Sequence, residues 1–303
     1  MTMQGDYLLR ILAKEEGVRG LFCVTTRLVQ EVVERHRKTT EQPWTPTAEA
    51  MLGHGLTGVA LMGALLKVRQ RIAIKLEGDG PLRKLVAESD AYGRVRGWLA
   101  NPSADLPGSA ECHALPDAFG QGQLVVVRDL LMRDLFEGVV SFVPGNLGDN
   151  LTDYLTRSEQ IPSFVETAVL LDAEGEVVMA GGMLVQALPG EESADAVTRL
   201  QQRSAEWPPV AELLRDGHTP HDLAAMLFSG FDYIELEERS LQFQCGCGWE
   251  RAEKALLMLG QAELTDLLAQ GHAHVDCHFC GERYLFERDA LETLVERAGG
   301  EDQ

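Results

Sequence analysis

The sequence predicts an α+β fold: a mixed sheet-and-helix domain over residues 1–189, a helical linker over 190–240 and a small C-terminal module over 241–303. Three observations lead there. Between Ile72 and Leu188, strand-length apolar runs succeed one another through turns, without the regular strand–helix alternation of a parallel sheet. Before and after that region apolar residues recur at helical spacing. Two close cysteine pairs, Cys245 with Cys247 and Cys277 with Cys280, then frame a short stretch near the C-terminus. At 303 residues and 33.3 kDa the chain can bury one large core and a smaller appendage.

Tyr7 to Leu12 has the apolar density of a helix or a short strand, and Val18 to Thr25 reads as a strand after a glycine turn. Leu28, Val29, Val32 and Val33 share one helical face. Pro43 and Pro46 break the chain, and Thr47 is placed to N-cap an apolar helix from Ala48 to about Val68, whose Gly53, Gly55, Gly58 and Gly63 suit close packing. His54 on this helix reads as a structural or surface histidine.

Strands follow at Ile72–Leu76, Leu82–Val86, Val95–Leu99, Leu124–Arg128 and Val139–Val143. The Gly78-Asp79-Gly80-Pro81 turn lacks the residue pattern of a phosphate loop. Asp149 and Asn150 can cap a helix to about Glu159 that Ile161-Pro162 stops. Strands at Phe164–Leu171 and Val177–Leu188 complete the domain.

Pro189-Gly190-Glu191-Glu192-Ser193 marks its boundary. The helices expected next, Ala194–Glu206, Val210–Arg215 and His221–Phe228, carry apolar faces that need cover. An ordinary subdomain docked on the first domain and a deliberately unstable linker both fit this pattern. In the module, Leu241–Gln244 alternates as a strand into the first cysteine pair, Arg251–Leu259 and Glu263–Ala269 read as short helices, Arg283–Phe286 returns as a strand, and Asp289–Arg297 forms a last helix.

The net charge of −20 argues against a nucleic-acid backbone as partner, because no cationic excess is available to displace counterions. Residues 190–303 carry −14 of it, which makes this third of the chain self-repelling in compact form and soluble when open. The longest apolar stretch, Gly55–Leu66, is too short to span a bilayer, and the first residues lack the basic and apolar regions of a signal peptide. A cytoplasmic protein without membrane partners is expected, and in that reducing compartment cysteines serve as thiols or metal thiolates.

Cys245, Cys247, Cys277 and Cys280 have the layout of a tetrahedral zinc site, each pair giving two thiolates from one turn. Cys-x-Cys is the unusual half. An extended three-residue span places its outer Cα atoms roughly 7 Å apart, and a modest bend brings them within the disulfide range of about 4.4–6.8 Å. Structural zinc ligation and a redox switch made from the same atoms therefore both remain open. Four thiolates close the coordination sphere, which speaks against hydrolytic zinc chemistry. His272, His274 and His278 are near enough in sequence to replace a cysteine.

A module of this size has a small core, so zinc would contribute roughly 10–16 kcal/mol of its folding free energy. Disulfides within the pairs would close only tiny loops and would not join the two halves as zinc does. Cys23 reads as a buried core thiol. Cys112, in Glu-Cys-His, could be exposed, but adjacent Cys112 and His113 are poorly placed to act on one another as nucleophile and base. No other cluster suggests an enzyme.

Several segments together resemble the heat-shock protein 33 family. They are Cys245-Gly-Cys247 and Cys277-His-Phe-Cys280 with Tyr284-Leu285-Phe286, together with Val18-Arg19-Gly20, Leu76-Glu77-Gly78-Asp79-Gly80-Pro81-Leu82, Arg157-Ser158-Glu159-Gln160-Ile161-Pro162 and Gly181-Gly182-Met183-Leu184-Val185-Gln186. The resemblance runs from about residue 7 to residue 290 and is weakest at 35–47 and 190–230. It implies an ATP-independent holdase chaperone, not an enzyme, that is monomeric and inactive while reduced with one zinc per chain. Under oxidative stress the resemblance implies Cys245–Cys247 and Cys277–Cys280 disulfides, zinc release, an unfolded linker and a homodimer that binds unfolding client proteins. A structural zinc-ribbon binding module is the alternative.

Overall fold

The computed structural model describes residues 5–39, 42–108, 113–190 and 193–300. Cys112, the Glu191-Glu192 part of the expected boundary, the first four residues and the tail after Gly300 lie outside the described residues. The chain forms two compact units; the described residues 5–37 and 42–244 belong to one, and residues 38–39 and 245–300 to the other.

The first unit starts with the antiparallel hairpin of β1 (Tyr7–Ala13) and β2 (Val18–Val24). Helix α1 (Thr26–Thr39) buries Leu28, Val29, Val32 and Val33, the face the spacing predicts. Helix α2 (Pro46–Gly63) is capped by Thr45, whose side chain accepts from the Ala48 N–H; Thr47 is not the cap. Pro46 opens the helix instead of breaking the chain, because the first turn has no use for its missing N–H. Thr47 is buried and donates to Asp105 Oδ1 at 2.9 Å. The helix also ends at Gly63, short of Val68.

After α2 come β3 (Arg71–Gly78), β4 (Lys84–Asp90), β5 (Arg94–Leu99), α3 (Leu115–Phe119), β6 (Gly122–Asp129) and β7 (Phe136–Ser141). Helix α4 (Leu147–Asp153) opens on a reciprocal cap between Asn146 and Asp149 and continues into a π-helical turn, Tyr154–Ser158. Of the two expected caps, Asp149 lies at the third helical position and Asn150 is buried, holding the Val143 N–H at 2.9 Å. Strands β8 (Ser163–Leu171) and β9 (Val177–Ala187) follow.

Residues beyond 190 contribute α5 (Ser193–Ser204), α6 (Val210–Arg215), α7 (Pro220–Leu227), β10 (Tyr233–Ser240) and β11 (Gln242–Phe243). The sequence pattern did not reveal β10 in what reads as a helical stretch. Its Tyr-Ile-Glu-Leu-Glu-Glu-Arg-Ser run buries almost nothing, and its conformation comes from pairing with β1, from Tyr7 opposite Ser240 to Ala13 opposite Tyr233. That partner is more than two hundred residues away in sequence.

One sheet has the order β10-β1-β2-β9-β8 and is antiparallel throughout. The other has the order β11-β5-β4-β3-β6-β7, with only β11 parallel to its neighbour. Helix α2 touches strands of both sheets and is buried on every side. Its glycines permit this: a methyl group at Gly53 would come 2.9 Å from Val169 on β8, and one at Gly55 would come 2.7 Å from Leu85 on β4.

Period-2 alternation splits the first sheet between two cores. Leu8, Leu21, Cys23 and Leu184 join the core around α2. Leu9, Ile11, Phe22, Met183 and Val185 point the other way, where Val197, Leu200, Val210, Leu214, Leu223, Leu227 and Phe228 of the 193–228 segment cover them. The cover required by those helices is therefore an apolar sheet face.

In the second unit, α8 (Trp249–Leu257) and α9 (Gln261–Gln270) precede the hairpin of β12 (His272–Asp276) and β13 (Arg283–Glu287), followed by α10 (Arg288–Gly300). Its core is small: Ala252, Leu256, Leu264, Ala273, Phe286, Leu291 and Leu294. Trp249 stacks against Phe286 with ring centroids 4.5 Å apart.

Candidate metal centre

Two chain segments meet at the four cysteines. Cys245 and Cys247 lie on the extended run entering α8, and Cys277 and Cys280 lie on the turn that joins β12 to β13. Backbone hydrogen bonds shape that turn: Cys277 N–H donates to the Glu282 carbonyl at 2.9 Å, and Gly281 N–H donates to the Cys277 carbonyl at 2.7 Å. Gly281 takes φ 70°, a left-handed conformation that glycine adopts without steric cost. The Arg283 guanidinium clasps Asp276 with two 2.7 Å contacts, closing the base of the turn.

All four Sγ atoms lie within 4.8 Å of one another. The Cys245 and Cys277 sulfurs are 3.6 Å apart, and those of Cys247 and Cys280 are 3.3 Å apart. A tetrahedron with metal–sulfur bonds of about 2.3 Å has edges of about 3.8 Å. These two separations fall a little short of that edge and no pair exceeds 4.8 Å, so a small contraction or expansion of the cluster fits the donor set to a metal ion. All four thiols are half-buried. Among the described residues this is the one group of metal-binding side chains so placed, and His272, His274 and His278 are not in it.

Two of the thiols, Cys277 and Cys280, lie above the usual thiol range. Cys277 is raised first by the hydrogen bond it shares with Cys245 and then by burial. Burial is the larger cause for Cys280, which is pushed up to about 11. A cation among the sulfurs would favour thiolates and displace these shared protons.

The Tyr284 hydroxyl donates to Cys247 Sγ at 3.2 Å, a supporting contact that spacing alone did not identify. Its only sequence signal was its place in the family-like Tyr-Leu-Phe run. Cys23 is fully buried on β2, far above its ordinary pKa through desolvation, and inert as a nucleophile. His54 is buried, with Nδ1 2.9 Å from the Thr167 hydroxyl, and is structural.

Residues 6–287 match the family model described as Hsp33 protein. The chain belongs to the Hsp33 family. It is 45% identical over 291 residues to the 33 kDa chaperonin of Geobacter sulfurreducens, covering 95% of this chain and 94% of that protein. It is 38% identical over 297 residues to the 33 kDa chaperonin of Geobacillus kaustophilus, covering 97% and 99% respectively. The crystal structure of the Thermotoga maritima 33 kDa chaperonin, a heat shock protein 33 homologue, superposes with a TM-score of 0.86 at 30% identity over 99% of both chains. The α+β architecture is thus that of Hsp33, and family membership makes the protein a chaperone. Among the described residues, no helix is long and apolar enough to cross a membrane.

Proposed function

We propose that this Hsp33 protein is a redox-regulated, ATP-independent holdase of the cytoplasm, acting by binding and not by turnover. The observation that carries the reading is the half-buried four-sulfur cluster joining two segments of a unit whose own core is small. One zinc ion per chain suits a closed all-thiolate donor set, and when bound it supplies a cross-link between residues 245–247 and 277–280. Oxidation within the pairs, Cys245 with Cys247 and Cys277 with Cys280, removes that donor set. Each disulfide forms from two thiolates with loss of two electrons, and hydrogen peroxide, taking those electrons and two protons from solvent, becomes two waters.

The consequence is topological. The new bonds close loops of three and four residues, so neither ties the two halves of the cluster together. The sulfur contacts at 3.6 and 3.3 Å run between the pairs, whereas the proposed bonds run within them.

Residues 190–240 act as the linker in this reading and hold their packing only while the module that follows them in sequence is folded. Their release bares the sheet face of Leu9, Ile11, Phe22, Met183 and Val185 to unfolding proteins. The reduced form is a monomer, and the oxidised, client-binding form is a homodimer.

The test is one sample followed through peroxide treatment for zinc release, protease sensitivity of residues 190–303 and suppression of client aggregation. About one zinc per chain should leave as suppression rises. A zinc-free, oxidised protein that leaves aggregation unchanged would overturn the reading.

A further inference from the structure

The first unit contains a cavity of about 140 Å³ remote in sequence from the cysteines. Three segments singled out by the resemblance but left without a role by the chaperone reading converge on it. Arg19 comes from Val-Arg-Gly, Glu159 and Ile161 from Arg-Ser-Glu-Gln-Ile-Pro, and Gln186 from Gly-Gly-Met-Leu-Val-Gln. Gln70 and, from β6, Arg128 complete the polar lining.

The polar groups are unequally matched. Glu159 is engaged through both oxygens, taking Arg128 Nη1 at 2.9 Å and the Tyr154 hydroxyl at 2.5 Å. Arg19 has no carboxylate among the described residues; its Nε at 3.0 Å and its Nη2 both donate to the single neutral oxygen of Gln186. A guanidinium has five N–H donors, so most of its capacity remains. Arg10 lies on the same face of the sheet, with its buried Nε without a partner. Burial and the neighbouring Arg10 charge draw Arg19 down to about 10, which still leaves it cationic at neutral pH.

One wall is apolar, formed by Met62, Leu65, Leu66 and Leu155, and the Gln70 side chain is turned to backbone groups of Lys67 and Leu130. The volume is close to the roughly 150 Å³ that accommodates a benzene ring in an engineered cavity. We infer that this cavity is a binding site for a small organic carboxylate, whose anionic head is taken by Arg19 and whose short apolar body lies against Met62, Leu66 and Leu155. Arg128 is already neutralised by Glu159, so the site accommodates a monoanion in preference to a dianion.

Benzoate, benzamide as its neutral analogue, and inorganic phosphate are the probes, titrated into the reduced full-length chain by calorimetry and by the Nε–Hε NMR signal of Arg19. That signal is identified by its absence in Arg19→Gln. Benzoate is expected to bind saturably, shift the signal and bind about 10- to 100-fold more tightly than to Arg19→Gln. Benzamide should show the same large loss. Arg19 is partly buried and its replacement can perturb folding, so Leu66→Trp, which fills the apolar side and keeps the guanidinium, is the second variant and should also abolish binding.

Absence of saturable benzoate binding, or equal binding by either variant, would overturn the site. Phosphate binding as tight as benzoate would overturn the ligand class, because the apolar walls would then contribute nothing. The site stands on its own geometry and does not depend on the redox reading.

Discussion

Phe228, directly after α7, is the most exacting probe of how the sheet face is covered. It is 1% exposed, meets Phe22 of β2 edge-on at 6.3 Å, and contacts Phe231 and Tyr233 at 6.0 and 5.9 Å. Phe228→Ala removes a fully buried ring and should cost about 3–5 kcal/mol. If that cost falls on the 193–228 segment, the open population rises by about two to more than three orders of magnitude. The reduced, metal-bound variant should then suppress aggregation of a heat-unfolding client without peroxide and show new protease cuts between residues 193 and 232. The informative refutation is a variant that is cut there, keeps its metal and leaves aggregation unchanged. The covered sheet face would then not be the client surface.

Other expectations follow from single contacts. Tyr284→Phe deletes the donor to Cys247 and should weaken zinc binding about tenfold in chelator competition, with the hairpin retained. Stripping the metal with a chelator at neutral pH should melt α8–α10, read as lost helical circular dichroism, while the amides of the two large sheets stay protected from exchange. Gly55→Ala should cost about 1–3 kcal/mol in urea unfolding of the first unit, because the added methyl meets Leu85 at 2.7 Å. Asp6 is held up to about 6, chiefly by burial, against 3.8 for the free side chain. The folded state therefore retains its proton longer than the unfolded state, and stability should fall as pH rises from about 4 to 6. Asp6→Asn should flatten that segment of the stability–pH curve.

Local chemistry made much of this legible. The periodicity of Leu28, Val29, Val32 and Val33 located α1, and strand-length runs located most of the sheet strands. The cysteine spacing brought together the four sulfurs that the fold gathers. Capping was misread by two residues at α2: Thr47 carries the right side chain, but it is Thr45 that reaches the open Ala48 N–H, a matter of backbone geometry. Strand β10 was missed because nothing in its own residues demands a strand. The cavity at Arg19 was invisible for a related reason, since its polar lining comes from five distant segments, each innocuous alone.

Strand β10 also determines what the first sheet presents along its margin. Its Glu235, Glu237 and Glu238 line the outermost strand with negative charge, and such charges discourage another chain from adding to an open edge. Immediately inside it, β1 reads Tyr-Leu-Leu-Arg-Ile-Leu-Ala, with a single charge in seven residues. Peeling β10 away would exchange a guarded margin for an adhesive one, offering a row of backbone donors and acceptors to any extended chain nearby. A strand that contributes little to the core thus decides whether the sheet ends there.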